Sequence, residues 1–228
     1  CQVLFDILFP IGGADMKLEW KKHEKTLYGA KSIPALVEIP TQNFIMIQGS
    51  GNPNDTDFSD RVAALYSLAY AIKMGYQSTA TKNPLFNEIH DFTVYPLEGI
   101  WKLKNADTKS ATTGLIKENL EYTIMIRQPD FITAEMVCAA LEKVKMKKPN
   151  PLYEKIIFDM IPYEKCVEIL HIGSYDNEPI SFEQMDKFAE ENGLQRVSDY
   201  HREIYLTTRT KVDKLKTILR YQVNSPSQ

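Results

Sequence analysis

Tyr95-Pro96-Leu97-Glu98-Gly99-Ile100-Trp101 and Tyr200-His201-Arg202-Glu203-Ile204-Tyr205-Leu206 are the stretches whose reading decides the fold. Each is rich in aromatic and aliphatic residues, as strands are, and each carries a glutamate three places after its tyrosine. Working outward from them, the same order of elements recurs. In the first half, residues 43–48 form an apolar strand stopped by Gly49-Ser50-Gly51-Asn52-Pro53. Phe58-Ser59-Asp60 then opens a helix with Val62, Leu65, Tyr66, Ala69 and Ile72 at helical spacing, ending at Lys73-Met74-Gly75. Residues 92–101 predict a strand with a proline irregularity, and residues 120–127 another. A further helix starts at Phe131-Ile132-Thr133 and runs into the basic stretch 143–148, and Pro149-Asn150-Pro151 follows as the candidate link. In the second half, residues 153–160 and 165–172 are strand-like, Gly173-Ser174-Tyr175-Asp176 is a turn, and residues 181–192 form a helix that Gly193 ends. Residues 198–207 predict a strand, and 212–219 a short helix or turn before the final 220–223.

This repetition predicts an α+β fold of two pseudo-symmetric β-α-β-β halves, about 40–130 and 150–223, within a single domain of residues 16–228. Each half is an antiparallel sheet with helices on one side, and a ligand cleft lies between the halves. Residues 1–15 lack a basic start and precede Met16, so they read as a leader outside the fold.

The composition is that of an ordinary globular protein, 43% hydrophobic and 25% charged. With 27 Lys and Arg against 30 Asp and Glu, no overall positive field gathers nucleic acid or anionic lipid. No apolar run approaches the ~20 residues of a membrane span. Cys1, Cys138 and Cys166 suggest neither a disulfide framework nor a zinc site, which fits a reducing cytoplasm. His23, His90 and His201 lack partners at metal-ligand spacing, and no phosphate loop or nucleophile elbow occurs, so neither metal nor cofactor is expected.

Several segments resemble the GyrI-like family of small-molecule-binding proteins, with its duplicated SHS2-like fold: residues 95–101, 125–131, 171–179, 203–206 and 215–220, of which HIGSYD and EIYL are the most diagnostic. The resemblance implies a pocket for planar, often cationic or aromatic compounds, into which the glutamate matching Glu203 projects. One stand-alone branch is similar to enzymes that open the cyclopropane of duocarmycin- and yatakemycin-type genotoxins, and the first-half PLEGIW fits that branch. The chain departs from the family pattern at Ser174, Lys102 and Thr207-Thr208. The family name also brings DNA gyrase in as a protein partner.

Candidate site residues follow. Period-two alternation puts Glu203 and Tyr205 on one strand face. A charged strand residue usually faces water, whereas a pocket carboxylate attracts a cation or deprotonates a water; the resemblance selects the pocket for Glu203. Glu98, at the corresponding place in the first half, has two open readings, a second catalytic carboxylate or a structural acceptor. Tyr205, Tyr175, Trp101, Tyr70, Tyr66 and Phe131 can stack on a flat ligand, although Tyr66 and Tyr70, four apart on a helix, also suit the core. His171 is a candidate for ligand contact or proton transfer and equally for a structural hydrogen bond. The expected activity is cofactor-independent hydrolysis of a cyclopropane-bearing toxin, with sequestration or sensing of toxic amphiphiles as the alternative.

Overall fold

The computed structural model describes residues 16–82, 88–104, 117–207 and 209–225. The expected leader, residues 1–15, lies outside the described residues. The chain opens with β1 (Met16–Leu18), the short helices α1 (Trp20–His23) and α2 (Lys25–Tyr28), and β2 (Ala35–Ile39). The first repeat is β3 (Gln42–Ser50), α3 (Thr56–Lys82), β5 (Leu97–Leu103) and β6 (Leu120–Gln128), with β4 (Ile89–Phe92) pairing β1 on the side. After α4 (Ala134–Lys147) and β7 (Ile157–Ile161), the second repeat is β8 (Glu164–Ile172), α5 (Glu178–Glu191), β10 (His201–Tyr205) and β11 (Lys216–Asn224), with β9 (Gln195–Arg196) attached to β11.

Across the main sheet the order is β2-β8-β11-β10-β5-β6-β3-β7, and every neighbour runs antiparallel. The two repeats meet at the β5–β10 seam, from which β6 then β3 lead one way and β11 then β8 the other. β2 and β3 behave as one strand bent at Pro40-Thr41, and β7 and β8 as one bent at Pro162-Tyr163. The two bent strands keep one register through the bends, with Ile39 opposite Glu164 on one side and Gln42 opposite Ile161 on the other. The sheet therefore curls until its ends meet, which covers edges that would otherwise be open.

Curling gives the sheet an outer face and an inner one. The long helices lie outside: α3 packs on β3 and β6, α4 on α3, and α5 on β8. Inside, Phe44, Glu98, Met125, Ile204, Ile218 and Arg220 are all essentially inaccessible. Their only helical cover is α1–α2, whose Glu24 meets Arg127, whose Tyr28 donates to Glu98, and whose Leu27 carbonyl accepts from Arg220. The larger apolar core lies between the first-half strands and α3–α4 and includes Ile45, Ile47, Leu65, Leu68, Ile72 and Ile124. A smaller one, with Val167, Ile169, Met185, Leu219 and Tyr221, lies beneath α5. No helix among the described residues is long and apolar enough to cross a membrane.

The sequence reading is corrected in four places. α3 does not stop at Gly75 but continues to Lys82, because Tyr76 and Ala80 extend its buried face; their burial outweighs the ~1 kcal/mol that glycine costs inside a helix. Residues 212–219 are not one helix or turn: a single 3-10 turn, Val212–Lys214, leads into β11, where Thr217, Leu219 and Tyr221 alternate with Ile218 and Arg220 between two paired strands. Residues 151–155 form a 3-10 turn capped by Asn150, whose Oδ1 accepts from the Leu152 amide at 2.9 Å, so β7 starts only at Ile157. Residues 16–42, to which the sequence reading assigns no element, supply β1, both short helices and β2.

Candidate functional site

The site is built from the β5–β10 seam, on the outer face between the strands that α3 covers, β3 and β6, and the one that α5 covers, β8. Along β10, His201, Glu203 and Tyr205 point outward while Arg202 and Ile204 point inward. Residues directly opposite in an antiparallel pair share a face. Glu203 thus has Gly99 beside it on β5 and Leu219 on β11, His201 has Trp101, Tyr205 has Thr217, and Thr217 has His171 on β8.

Gly99 is what makes the arrangement fit. The Trp101 indole lies over it, and a Cβ at this position would sit 2.5 Å from the indole nitrogen. Held there, the Trp101 Nε1–H donates to the Tyr205 hydroxyl at 2.9 Å. Phe58 of α3 and Tyr122 of β6 back the indole, with ring centroids 5.8 and 5.2 Å away. Tyr205 in turn lies close to Glu203, whose charge it feels, and Tyr175 stands edge-on against Tyr205 at 6.0 Å. Tyr175 is 43% exposed and presents its ring at the surface, whereas Trp101 is buried. Burial, followed by the charges of Glu203 and Glu178, holds both tyrosine hydroxyls above their ordinary pKa, which keeps them protonated as donors.

Glu203 is buried, and its Oε1 lies 2.9 Å from the Nε2 of His201. A carboxylate only accepts, so that nitrogen carries the proton. Phe182 of α5 packs edge-to-face on the His201 ring at 4.8 Å. Facing Glu203 from the start of α5 is Glu178, also buried, with Oε1 lacking a hydrogen-bond partner. Desolvation raises its pKa most, and the charges of Glu203 and Asp176 add to this, to about 9. Two acids therefore face one another across the cleft, one hydrogen-bonded and one not.

The sequence-derived candidates divide by place. Glu203, Tyr205, Tyr175 and Trp101 come together. Tyr66, on α3, reaches the Leu97 backbone at the start of β5 and neighbours Tyr70, which is 55% exposed, with ring centroids 6.4 Å apart. His171 borders the group, but both its ring nitrogens are engaged: Nε2 donates to the Ser174 carbonyl at 3.0 Å, which leaves Nδ1 to accept from the Ser181 hydroxyl at 2.9 Å. It ties the turn to α5.

Two placements correct the expectation. Phe131 stacks on Tyr76 at 4.6 Å and meets Phe92 edge-on at 6.0 Å, in the core beside α3 rather than in the cleft. Glu98 lies on the inner face, fully buried, where Arg202 donates to it from Nε at 2.7 Å and Tyr28 at 3.3 Å. The cause is register: Glu203 stands opposite Gly99, so Glu98 is one residue out of step, and one residue along a strand reverses the face. Glu178 and His201 were not singled out from the sequence. The available signal for Glu178 was an acid at a helix start, just after the glycine turn that ends a strand.

A separate hollow of about 590 Å³ opens beside Gln48, Arg61, Ile100, Lys102 and Tyr200. Its cations are already paired, Arg61 with Asp57 and Lys102 with Glu121, and it brings no acid pair together. Among the described residues no three His, Cys, Asp or Glu side chains converge as a metal site would require.

The model of the GyrI-like small molecule binding domain matches residues 34–223. A crystal structure of an uncharacterized conserved protein from Listeria innocua superposes with a TM-score of 0.79 at 30% identity, covering 91% of this chain and 100% of the other. A hydrolase from Listeria innocua does so with a TM-score of 0.78 at 30% identity, covering 92% and 100%. A further Listeria innocua hydrolase gives 0.76 at 29%, covering 91% and 100%. No curated protein matches the chain. The match over residues 34–223, together with 30% identity along nearly the whole length of a solved relative, establishes that this chain belongs to the GyrI-like small-molecule-binding family.

Proposed function

We propose that the chain takes up a flat aromatic toxic compound between α3 and α5 and hydrolyses it, the substrate class being the cyclopropane-bearing genotoxins of the duocarmycin and yatakemycin type. The observation that carries this reading is Glu203: a buried carboxylate on the floor of an aromatic-walled cleft, held by His201 with Tyr205 close by, rather than neutralised by an arginine. The hydrolase description of a Listeria innocua relative, 30% identical over nearly the whole chain, supports hydrolysis as the class of chemistry.

Trp101 and Tyr205 form one wall for a planar ligand, and Tyr175 rotates at the surface to admit it. Glu203 orients a water and takes its proton as the oxygen attacks the strained ring carbon. Strain in a three-membered ring lowers the demand on the protein, so positioning and one general base supply most of what is needed.

Mass-spectrometric analysis after incubation with a duocarmycin-type cyclopropane tests the reading, with Glu203→Gln alongside. The expected result is a product heavier by one water, formed by the wild type and lost in the variant. Intact compound held stoichiometrically by both proteins identifies a sequestering protein and removes the catalytic role of Glu203.

A further inference from the structure

Glu178 is the first residue of α5 and is 9% exposed, yet its Oε1 has no hydrogen-bond partner. Position alone does not explain it, since a helix N-terminus favours a charged carboxylate and an exposed glutamate would serve. What surrounds it is a second acid. Glu203 faces it from β10, and Asp176, from the turn before the helix, adds a further negative charge. The other polar groups at this point are the phenols of Tyr175 and Tyr205, His201 bound to Glu203, and His171 bound to Ser181. The cation near the turn, Lys117, lies 3.8 Å from the exposed Asp176 and pairs with that residue.

Two carboxyls confined together in a low-dielectric space do not both ionise; they share a proton, and it settles on the one whose charged form is less well solvated. Glu203 Oε1 accepts from His201, while the Glu178 Oε1 accepts from nothing. We propose that Glu178 holds the shared proton and is the general acid of this site, with Glu203 the base and His201 the positioning residue that fixes this division.

The proposal rests on the hydrolytic reading and narrows its substrate class. The compound must carry a carbonyl oxygen conjugated with the strained ring, so that one acid serves each end. Glu203 takes a proton from water, and the water oxygen bonds to the ring methylene. The ring carbon–carbon bond breaks, its electron pair passes through the conjugated system to the carbonyl oxygen, and that oxygen receives the Glu178 proton. Water and cyclopropane become a hydroxymethyl phenol. Glu203 ends protonated and Glu178 charged, and return of the proton from Glu203 to Glu178 restores the site.

The test combines a ligand-free measurement with a kinetic one. In protein labelled with 13C at the glutamate carboxyls, the resonance missing from Glu178→Gln titrates near pH 9 in the wild type and at least one pH unit lower in Glu203→Gln, which lacks the facing charge. A Glu178 resonance titrating in the ordinary carboxylate range overturns the proposal whatever the protein hydrolyses. With a duocarmycin-type cyclopropane, Glu178→Gln lowers kcat about 10²–10⁴-fold with little change in KM. His201→Gln, which keeps an N–H donor, retains more of the rate than His201→Phe. Normal turnover by Glu178→Gln overturns the acid role while leaving the hydrolytic reading intact; no product from the wild type removes that reading and the transfer step with it, and the titration still reports where the proton lies. Thermal melts of each variant separate loss of chemistry from loss of fold.

Discussion

Glu98 and Glu203 stand on neighbouring strands, each three residues after a tyrosine, and one residue of register separates their surroundings. On the inner side of the seam, Glu98 is fully enclosed and Arg202 neutralises it, with Gln42 accepting from the same Nη2 that faces Glu98 and Phe44 beneath the guanidinium. On the outer side, Glu203 is equally acidic in type but has no arginine against it, only a histidine, a phenol and a second carboxyl. The inner face uses charge to close a curled sheet: Arg220 with Glu168 and Arg127 with Glu24 repeat the same pairing. The outer face sets its acids, without an arginine, between the helices α3 and α5. A buried acid next to an arginine is a structural component; one next to a second acid is available for chemistry.

The sharpest way to break this comparison is to remove the inner charge. Glu98→Ala leaves Arg202 buried without its counter-charge, and denaturant unfolding is expected to show a loss of about 3–5 kcal/mol, against about 1 kcal/mol or less for Glu203→Gln. Equal losses would mean that the two faces do not divide the work in this way. Gly99→Ala acts at the boundary between them. The new Cβ displaces the Trp101 indole, so a loss of about 1–3 kcal/mol is expected together with a change in tryptophan emission as the bond to Tyr205 breaks. Unchanged emission would show that the indole has another seat.

Glu178 sharpens the outer side. Its folded-state pKa is raised from 4.5 to about 9, so its proton's contribution to stability is fully present below about pH 4.5, declines steadily as pH rises above that and is lost once pH passes about 9. Glu178→Gln carries no such proton. Thermal melts should therefore find the variant close to wild type near pH 4 and more stable near pH 8, by up to about 5 kcal/mol; a difference independent of pH would place the raised pKa elsewhere. The smallest effect is expected at Tyr70, which is 55% exposed on α3: Tyr70→Ala should change stability by about 0.5 kcal/mol or less in denaturant unfolding, and a larger loss would show that the ring packs on the molecule.

Much of the fold was legible in order and type. The glycine turns that end β3 and β8 were visible, and Gly51 and Gly173 both adopt positive φ, 109° and 126°, ahead of helices in the two repeats. β11 was harder to see because its residues are buried on both faces, so the alternation that marks a half-buried strand is lost. Of the site, Glu203, Tyr205, Trp101 and Tyr175 could be named because strand alternation and the family resemblance pointed the same way. Glu98 and Phe131 were misplaced because a glutamate near an aromatic, or a phenylalanine before a helix, looks the same in sequence whichever face or layer it enters. Glu178 was missed because its partners are distant: Glu203 is on another element, and an acid at a helix start ordinarily serves the helix itself.

The sequence by itself determined the repeated β-α-β-β order, the strand and helix types and the alternation that puts Glu203 and Tyr205 on one side, because these depend on local periodicity and turn chemistry. Only the tertiary structure decided that the sheet curls closed and that Arg202 meets Glu98 while Glu178 lies near Glu203. Those outcomes depend on the register between strands far apart in the chain, where a shift of one residue exchanges the ion-paired face for the one that carries Glu203.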